Sequence, residues 1–86
     1  GVVPNPFTRR VGMEYQVARV GVVELAVYDA VGRLVKTLVD GVHEPGLYTT
    51  SWNARDLRGR KIPAGVYFIH FQSDDNKSVE KVVVVR

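Results

Sequence analysis

The chain has 86 residues, of which 45% are hydrophobic and 24% charged, which fits one globular domain and excludes an intrinsically disordered segment. It contains no cysteine, and this excludes disulfide bonds, thiolate metal sites and a cysteine nucleophile. The net charge is only +3, and the basic residues are spread along the sequence among acidic ones, so we expect no nucleic-acid partner.

Residues 1–10 are predicted to form an N-terminal segment that leads into the domain. Pro4 and Pro6 cannot donate a backbone hydrogen bond, so this stretch is poorly suited to the interior of a sheet. Its apolar residues are expected to pack against the edge of the core, and these are Val2, Val3 and Phe7. Because the sequence starts with glycine rather than methionine, we expect residues 1–86 to be a single domain excised from a longer protein.

The stretch from Val22 to Asp40 is predicted to form a β-hairpin. In its first arm Val23, Leu25 and Val27 alternate with polar or small residues, which places them on one face of a strand. The second arm, Leu34 to Asp40, does not alternate cleanly, and a β-bulge would reconcile its apolar residues with one buried face.

Two turns are predicted to use the same chemistry. Asp29 to Gly32 and Asp56 to Gly59 both begin with aspartate and end with glycine. The aspartate carboxylate can accept the N–H group two residues later, and the glycine can adopt the positive φ that the last position often requires. We interpret the shared spacing as one type of turn used twice rather than as a sequence repeat.

Short strands and turns continue to the end of the sequence. Further strands are predicted at Gly12 to Val17, Leu47 to Trp52, Val66 to Ser73 and Ser78 to Arg86, with turns at Asp40-Gly41, Glu44 to Gly46 and Asp74 to Lys77. No helical periodicity of useful length is present. The pattern predicts an all-β, antiparallel sandwich of about seven strands.

The last predicted strand has an unusual pattern. Its polar residues point to both faces, with Glu80 and Arg86 on one and Lys81 on the other. Val82 to Val85 should therefore be buried on both sides or masked by a partner. The sequence leaves open whether this strand lies at an edge or in the interior of its sheet.

The residue pattern indicates neither an enzyme nor a cofactor site. His43 and His70 have no catalytic partners at a suitable spacing, and both are expected at the surface. Asp74, Asp75 and Asn76 offer too few oxygens for calcium and are expected to serve the turn. No apolar run reaches the ~18–20 residues of a membrane-spanning helix.

The aromatic residues have two possible roles. A strip of them could stack on sugars, and its members would be Tyr28, Tyr48, Trp52, Tyr67, Phe68 and Phe71. Trp52, however, lies in phase with Tyr48 at the end of a strand, and a single buried tryptophan commonly anchors a sandwich. We therefore expect Trp52 in the core, whereas Phe68 is expected either exposed or beneath the N-terminal segment.

Several short motifs occur in the order found in one known domain family. They are Asn5-Pro6-Phe7, Val27-Tyr28-Asp29, Gly32-Arg33, Thr37-Leu38-Val39, Gly46, Trp52, Asp56, Gly59, Ala64-Gly65-Val66-Tyr67-Phe68 and the closing run Lys81 to Arg86. In these motifs the sequence resembles the C-terminal sorting domain of cargo proteins of the type IX secretion system of Bacteroidetes-type bacteria. That domain is similar in turn to the Ig-like domain of the flagellar hook-capping protein.

The resemblance implies an Ig-like sandwich that directs a larger secreted cargo protein from the periplasm to the outer cell surface. Its expected partners are an upstream cargo domain, the secretion translocon and a sortase-like peptidase. The sorting signal would be formed by Lys81, Val82, Val83, Val84, Val85 and Arg86, and the fold would depend on Asp29, Gly32, Trp52, Asp56, Gly59 and Gly65. The alternative is a structural or carbohydrate-binding accessory domain of an extracellular multidomain enzyme.

Overall fold

The computed structural model describes residues 2–86, with side chains from residue 4 onward. Its strands are Val2–Val3 (β1), Val11–Val17 (β2), Gly21–Asp29 (β3), Leu34–His43 (β4), Gly46–Trp52 (β5), Gly65–Gln72 (β6) and Lys77–Val84 (β7). No helix occurs among these residues. β1 has two residues, and each of the other six strands has at least seven.

The strands form two antiparallel sheets that face each other. One sheet has the order β1-β2-β5, and the other has the order β4-β3-β6-β7. β2 and β5 pair along their whole length, from Val11 opposite Trp52 to Val17 opposite Gly46. The predicted all-β antiparallel sandwich is therefore confirmed.

The core lies between the two sheets and is built mainly from alternate residues of β2, β3, β6 and β7. Val23, Leu25 and Val27 of β3 are all buried, as their spacing predicts. Trp52 is 1% exposed, and its ring meets the rings of Phe7 and Tyr67 edge-on at 5.8 and 5.6 Å between centroids. This tryptophan is part of the core, as expected. The predicted packing of the Val2 and Val3 side chains concerns atoms outside the described part of the chain.

β4 differs from the prediction in two respects. Its register against β3 shifts twice, so that Leu38 and Val35 are both extra residues without a partner, whereas one bulge was expected. The predicted turn at Asp40-Gly41 is wrong, because the strand continues to His43. Asp40 and Gly41 pair with Glu24 and Val23, and these backbone hydrogen bonds outweigh the local turn preference of Asp-Gly.

The fold separates charges that the sequence mixes. The domain extends 38 Å along its long axis, and consecutive turns lie alternately at its two ends. One end carries the β3–β4 turn, the loop between β5 and β6 and the last residues, and we call it the basic end. Leu25, in the middle of β3, divides the domain into two halves, and ten of the 12 basic residues lie in the half that contains the basic end. They are Arg9, Arg10, Arg33, Lys36, Arg55, Arg58, Arg60, Lys61, Lys81 and Arg86.

The acidic residues are distributed in the opposite sense. Three of the nine, Asp29, Asp56 and Glu80, lie toward the basic end, so that half has a formal charge of +7. The other half holds five acidic residues with Arg19 and Lys77, a charge of −3, and Glu14 in the middle of β2 completes the net +3 of the chain. The charge is thus scattered only along the sequence, and in the fold it is strongly polarised.

Candidate functional site

The predicted sorting segment forms the end of β7, which is an edge strand of its sheet. β7 pairs with β6 on one side only, with Gly65, the first residue of β6, opposite Val84. Val82 and Val84 point into the core and are 0% and 1% exposed. Val83 is half-buried on the outer face, while Val85 lies beyond the strand and is 39% exposed. The valine run is therefore buried by the fold of this chain on its inner face only.

The N-terminal segment covers the outer edge of this strand with four hydrogen bonds. The Phe7 N–H donates to the Val83 carbonyl, and the Val85 N–H donates to the Phe7 carbonyl, each at 2.9 Å. The Asn5 side chain accepts from the Val83 N–H at 3.0 Å and donates to the Lys81 carbonyl at 2.9 Å. The outer edge of β7 is consequently hydrogen-bonded from the Lys81 carbonyl to the Val85 N–H, as it would be in an interior strand.

The two charged ends of the segment differ in their surroundings. Lys81 is exposed on the outer face of the sheet, opposite the half-buried Phe68. Arg86 is also exposed, but its Nη2 donates a hydrogen bond to the Ile62 carbonyl in the loop before β6. Lys81 is thus a solvated side chain with no hydrogen-bond partner among the described residues, whereas Arg86 has a tertiary contact.

The outer face beside Lys81 is partly apolar. Phe68 lies between Lys81 and Tyr28 in the strand register, and the Tyr28 and His70 rings are 4.4 Å apart. Val79, on the same face of β7, is 57% exposed. His70 faces solvent, as its position in β6 predicts. This face therefore offers a basic side chain within an aromatic and aliphatic surface.

The first aspartate turn has the predicted geometry. Asp29 Oδ1 accepts the backbone N–H of Val31 at 3.0 Å and that of Arg33 at 2.9 Å. Gly32 has φ of +87°, the conformation for which glycine was expected. The Arg33 side chain returns to the same carboxylate, with Nε donating to Oδ2 at 2.9 Å.

The second turn repeats these contacts. Asp56 Oδ1 accepts the backbone N–H groups of Arg58 and Arg60, both at 2.9 Å, and Gly59 has φ of +79°. The Arg60 Nε lies 3.3 Å from Asp56 Oδ2. The backbone N–H donors, those of Arg33 and Arg60 above all, hold the pKa values of Asp29 and Asp56 below the usual range of aspartate.

The two turns lie side by side at the basic end because the β4 bulge receives the second turn. The extra residue Val35 leaves the β3–β4 ladder, and its carbonyl accepts the Leu57 N–H at 3.1 Å. An open groove of about 760 Å³ separates the turns. The sequence predicted both turns but not that they lie side by side. Their proximity depends on the contact between Val35 in the bulge and Leu57 in the loop, which are 22 residues apart in the sequence.

The aromatic residues do not form one sugar-stacking strip. Trp52 and Tyr67 are buried in the core, Tyr28 and Phe68 lie on the outer face, and the rest gather near the other end. There Tyr15 stacks on Tyr48 with centroids 5.5 Å apart and lies 5.5 Å from Phe71.

His43 belongs to this second aromatic group and is half-buried, which corrects its predicted place in a surface turn. Its Nδ1 lies 3.2 Å from the Gly41 carbonyl and therefore carries the hydrogen. Its Nε2 can then accept from the Tyr15 hydroxyl at 3.0 Å. His43 therefore connects β4 to β2 through its hydrogen bond with Tyr15.

The acidic hairpin tip makes an ion pair with the β2–β3 turn. The Arg19 guanidinium donates to both oxygens of the Asp75 carboxylate. Within residues 2–86, no group of three or more histidine or acidic side chains is placed to share a metal ion. The same part of the chain holds no helix that is long and apolar enough to span a membrane.

Comparison with solved structures gives the same fold in three proteins. PorZ of Porphyromonas gingivalis, described as an essential bacterial surface component of the type-IX secretion system, matches 100% of this chain with a TM-score of 0.73 and 22% identity. Dimeric latent PorU of the same organism matches 99% with a TM-score of 0.72 and 20% identity. FlgD of P. aeruginosa matches 87% with a TM-score of 0.65 and 20% identity.

These matches concern domains of longer proteins. The chain spans 11% of PorZ, 9% of PorU and 59% of FlgD. At such identities the likeness establishes a shared fold. No curated protein matches the sequence.

The family assignment rests on the sequence itself. The pattern of the FlgD Ig-like domain matches residues 8–77, which include both aspartate turns and the strands from β2 to β6. This agrees with the motifs that were recognised in chain order and with the sandwich found in the structure. The chain therefore belongs to the FlgD Ig-like domain family.

Proposed function

We propose that this domain is a non-catalytic sorting and anchoring module that directs a secreted cargo protein through the type IX secretion system to the cell surface. The observation that carries the proposal is the closing run Lys81 to Arg86, which resembles the ending of such domains and whose first four residues form the end of the edge strand β7. The likeness in fold to domains of PorZ and PorU supports it. The upstream cargo, the translocon and a sortase-like peptidase are the proposed partners.

The contacts of β7 limit how the signal can be read. A partner could extend a sheet by pairing with a free edge, but the edge from the Lys81 carbonyl to the Val85 N–H is occupied by Asn5 and Phe7. Recognition in the folded state must therefore use side chains. Lys81, exposed beside Phe68, is the charged side chain of the segment that makes no hydrogen bond or ion pair in the described part of the chain.

The test is delivery of a passenger protein that carries this domain at its C-terminus, in a bacterium with a type IX system. We expect Lys81→Ala to reduce surface delivery several-fold. Lys77→Ala is the matched control, because Lys77 is also exposed and lies on the same strand and on the same face. Both substitutions lie at the surface and should change stability by no more than about 0.5 kcal/mol, which thermal unfolding verifies.

Arg86 requires a different comparison. Arg86→Ala removes the bond to Ile62 and can weaken packing at the basic end, whereas Arg86→Lys retains a charge there. Loss of delivery in Arg86→Ala with an unchanged melting temperature would add Arg86 to the signal. Normal delivery by both Lys81→Ala and Arg86→Ala would refute a charged signal. Failure of the unaltered domain to deliver any passenger would favour the accessory-domain alternative.

A further inference from the structure

The groove at the basic end has two kinds of lining. Its walls are the two aspartate turns, with Arg33 on one side and Arg60 on the other. The lining between them, which we call the groove floor, is the apolar stretch 62–67, where the backbone enters β6 and where Pro63, Ala64 and Val66 are exposed. A charged rim above an apolar floor is typical of a site that binds an amphipathic segment.

The two arginines are held in a defined orientation. Each guanidinium is bound through Nε to the aspartate of its own turn, Arg33 to Asp29 and Arg60 to Asp56. Within the described residues, neither guanidinium has an acceptor for its Nη atoms, and the side chains are 80% and 68% exposed. Both therefore present a pair of N–H donors to solvent, and this pair fits the two oxygens of a carboxylate.

The surroundings of the groove favour an anionic ligand with apolar groups. The half of the molecule that contains it has a formal charge of +7, which attracts anions over a distance. Apolar side chains beside the arginines are also uncovered: Val31 is 75% exposed, Leu57 61% and Leu34 46%. Charge alone would not require these exposed side chains, whereas a ligand that carries both carboxylates and apolar groups would cover them.

We propose that this groove binds an acidic, extended polypeptide segment whose carboxylates alternate with apolar side chains. The carboxylates pair with Arg33 and Arg60, and the apolar side chains cover Leu34, Leu57 and the groove floor. The concave shape disfavours a flat lipid surface as the partner. A nucleic acid is disfavoured because the aromatic ring in the lining, Tyr67, is 6% exposed and unavailable for stacking on bases. The proposal is independent of the sorting function.

The test measures binding of a fluorescent twelve-residue peptide in which glutamate alternates with leucine or valine. We expect binding that weakens with salt and is about tenfold weaker for a glutamate–serine peptide, which cannot cover the groove floor. A peptide with lysine in place of glutamate should not bind. Binding of the glutamate–serine peptide, or of an oligothymidylate, as tight as that of the first peptide would show a general attraction for polyanions and overturn the proposal.

Substitutions can locate the peptide-binding site and distinguish the effect of the paired arginine Nη donors from that of the positive charge. Arg33→Lys with Arg60→Lys keeps the net charge but removes both pairs of Nη donors, and we expect about tenfold weaker peptide binding. Arg19→Lys is the matched control, because Arg19 is 78% exposed and pairs with Asp75 at the opposite end. It should bind the peptide as the unaltered domain does. Equal binding by both variants would place the peptide elsewhere, and binding to phosphatidylglycerol vesicles without peptide binding would identify a membrane-binding surface instead.

Discussion

At the scale of single residues, the turns of this domain depend on side chains whose hydrogen-bond partners lie within four positions in the sequence. Asp29 and Asp56 each accept two backbone N–H groups of their own turn, and Gly32 and Gly59 supply the positive φ. Such determinants are visible in a sequence because both partners are close together in it. This is why the two turns were predicted correctly.

A comparison of glycines isolates the effect of the backbone. Gly32, with φ of +87°, and Gly41, in β4, both have open space where a Cβ atom would lie. We expect Gly32→Ala to lower the free energy of unfolding by about 1–2 kcal/mol, since an L-residue is strained at positive φ. Gly41→Ala should have little effect or be slightly stabilising, because alanine restricts the unfolded chain. Urea unfolding of both variants measures this, and equal losses at the two positions would contradict the role of φ.

Ala54 shows where residue-level prediction ends. It is 1% exposed and has φ of +58°, although alanine has no intrinsic preference for that region. Its carbonyl accepts the Ile62 N–H at 3.2 Å, which closes the loop between β5 and β6. The conformation follows from tertiary contacts, and no local pattern signals it.

At the scale of elements, the decisive feature is the pairing of the N-terminal segment with β7. The sequence indicated that Val82 to Val85 lacked a normal exposed face but could not identify what covered it. The covering residue Asn5 is 76 positions from Lys81 and 78 from Val83, so no local periodicity reports the contact. One bulge in β4 was predicted from its broken alternation, but the second was not, since it depends on the register against β3 and on the docking of Leu57.

Amide hydrogen exchange can test the N-terminal cover bond by bond. In Asn5→Ala the Val83 amide loses its acceptor and should exchange faster, while the Val85 amide keeps the Phe7 carbonyl and should exchange at its former rate. Asn5→Asp retains an acceptor for Val83 and is expected to restore its protection. If both amides exchange faster in Asn5→Ala, the segment detaches as a unit. If neither does, Asn5 does not hold this edge in solution.

At the scale of the whole molecule, the fold gathers charge that looks unremarkable in the sequence. Alternating turns send the arginine-rich loops to one end and most of the acidic residues to the other. A net charge calculated from the sequence only counts charged residues, whereas an approaching partner is attracted or repelled according to where those charges lie on the surface. The groove between the two turns is a property of this arrangement, and it could not be predicted from either turn alone.

The acid stability of the domain should depend on the two aspartate turns together. The folded pKa values of Asp29 and Asp56 lie below those of the unfolded chain, so near these pKa values the folded state binds fewer protons. Their contribution to stability is present above the unfolded pKa, about 3.9, and is lost as the pH falls through the lowered folded values. We therefore expect the melting temperature to drop as the pH falls below about 4, toward the lowered folded pKa values.

The double variant Asp29→Asn with Asp56→Asn removes the titrating groups from both turns. It should melt lower than the unaltered domain at pH 7 and lose less of its melting temperature on acidification. Thermal unfolding by circular dichroism across this pH range gives both curves. Parallel curves for the two proteins would show that other groups cause the acid transition.

The cover on β7 also bears on the order of events during synthesis. The ribosome synthesises residues 5–7 long before residues 81–85. Asn5 can form its hydrogen bond to the Lys81 carbonyl only after 76 further residues have been added. Joining segments so far apart costs loop-closure entropy, which is recovered only when the intervening strands are already in place. A nascent chain that stops short of Val83 lacks the backbone groups to which Phe7 binds, so its N-terminal segment is without its main partner. The hydrogen bonds between the two segments thus distinguish a completed domain from an interrupted one.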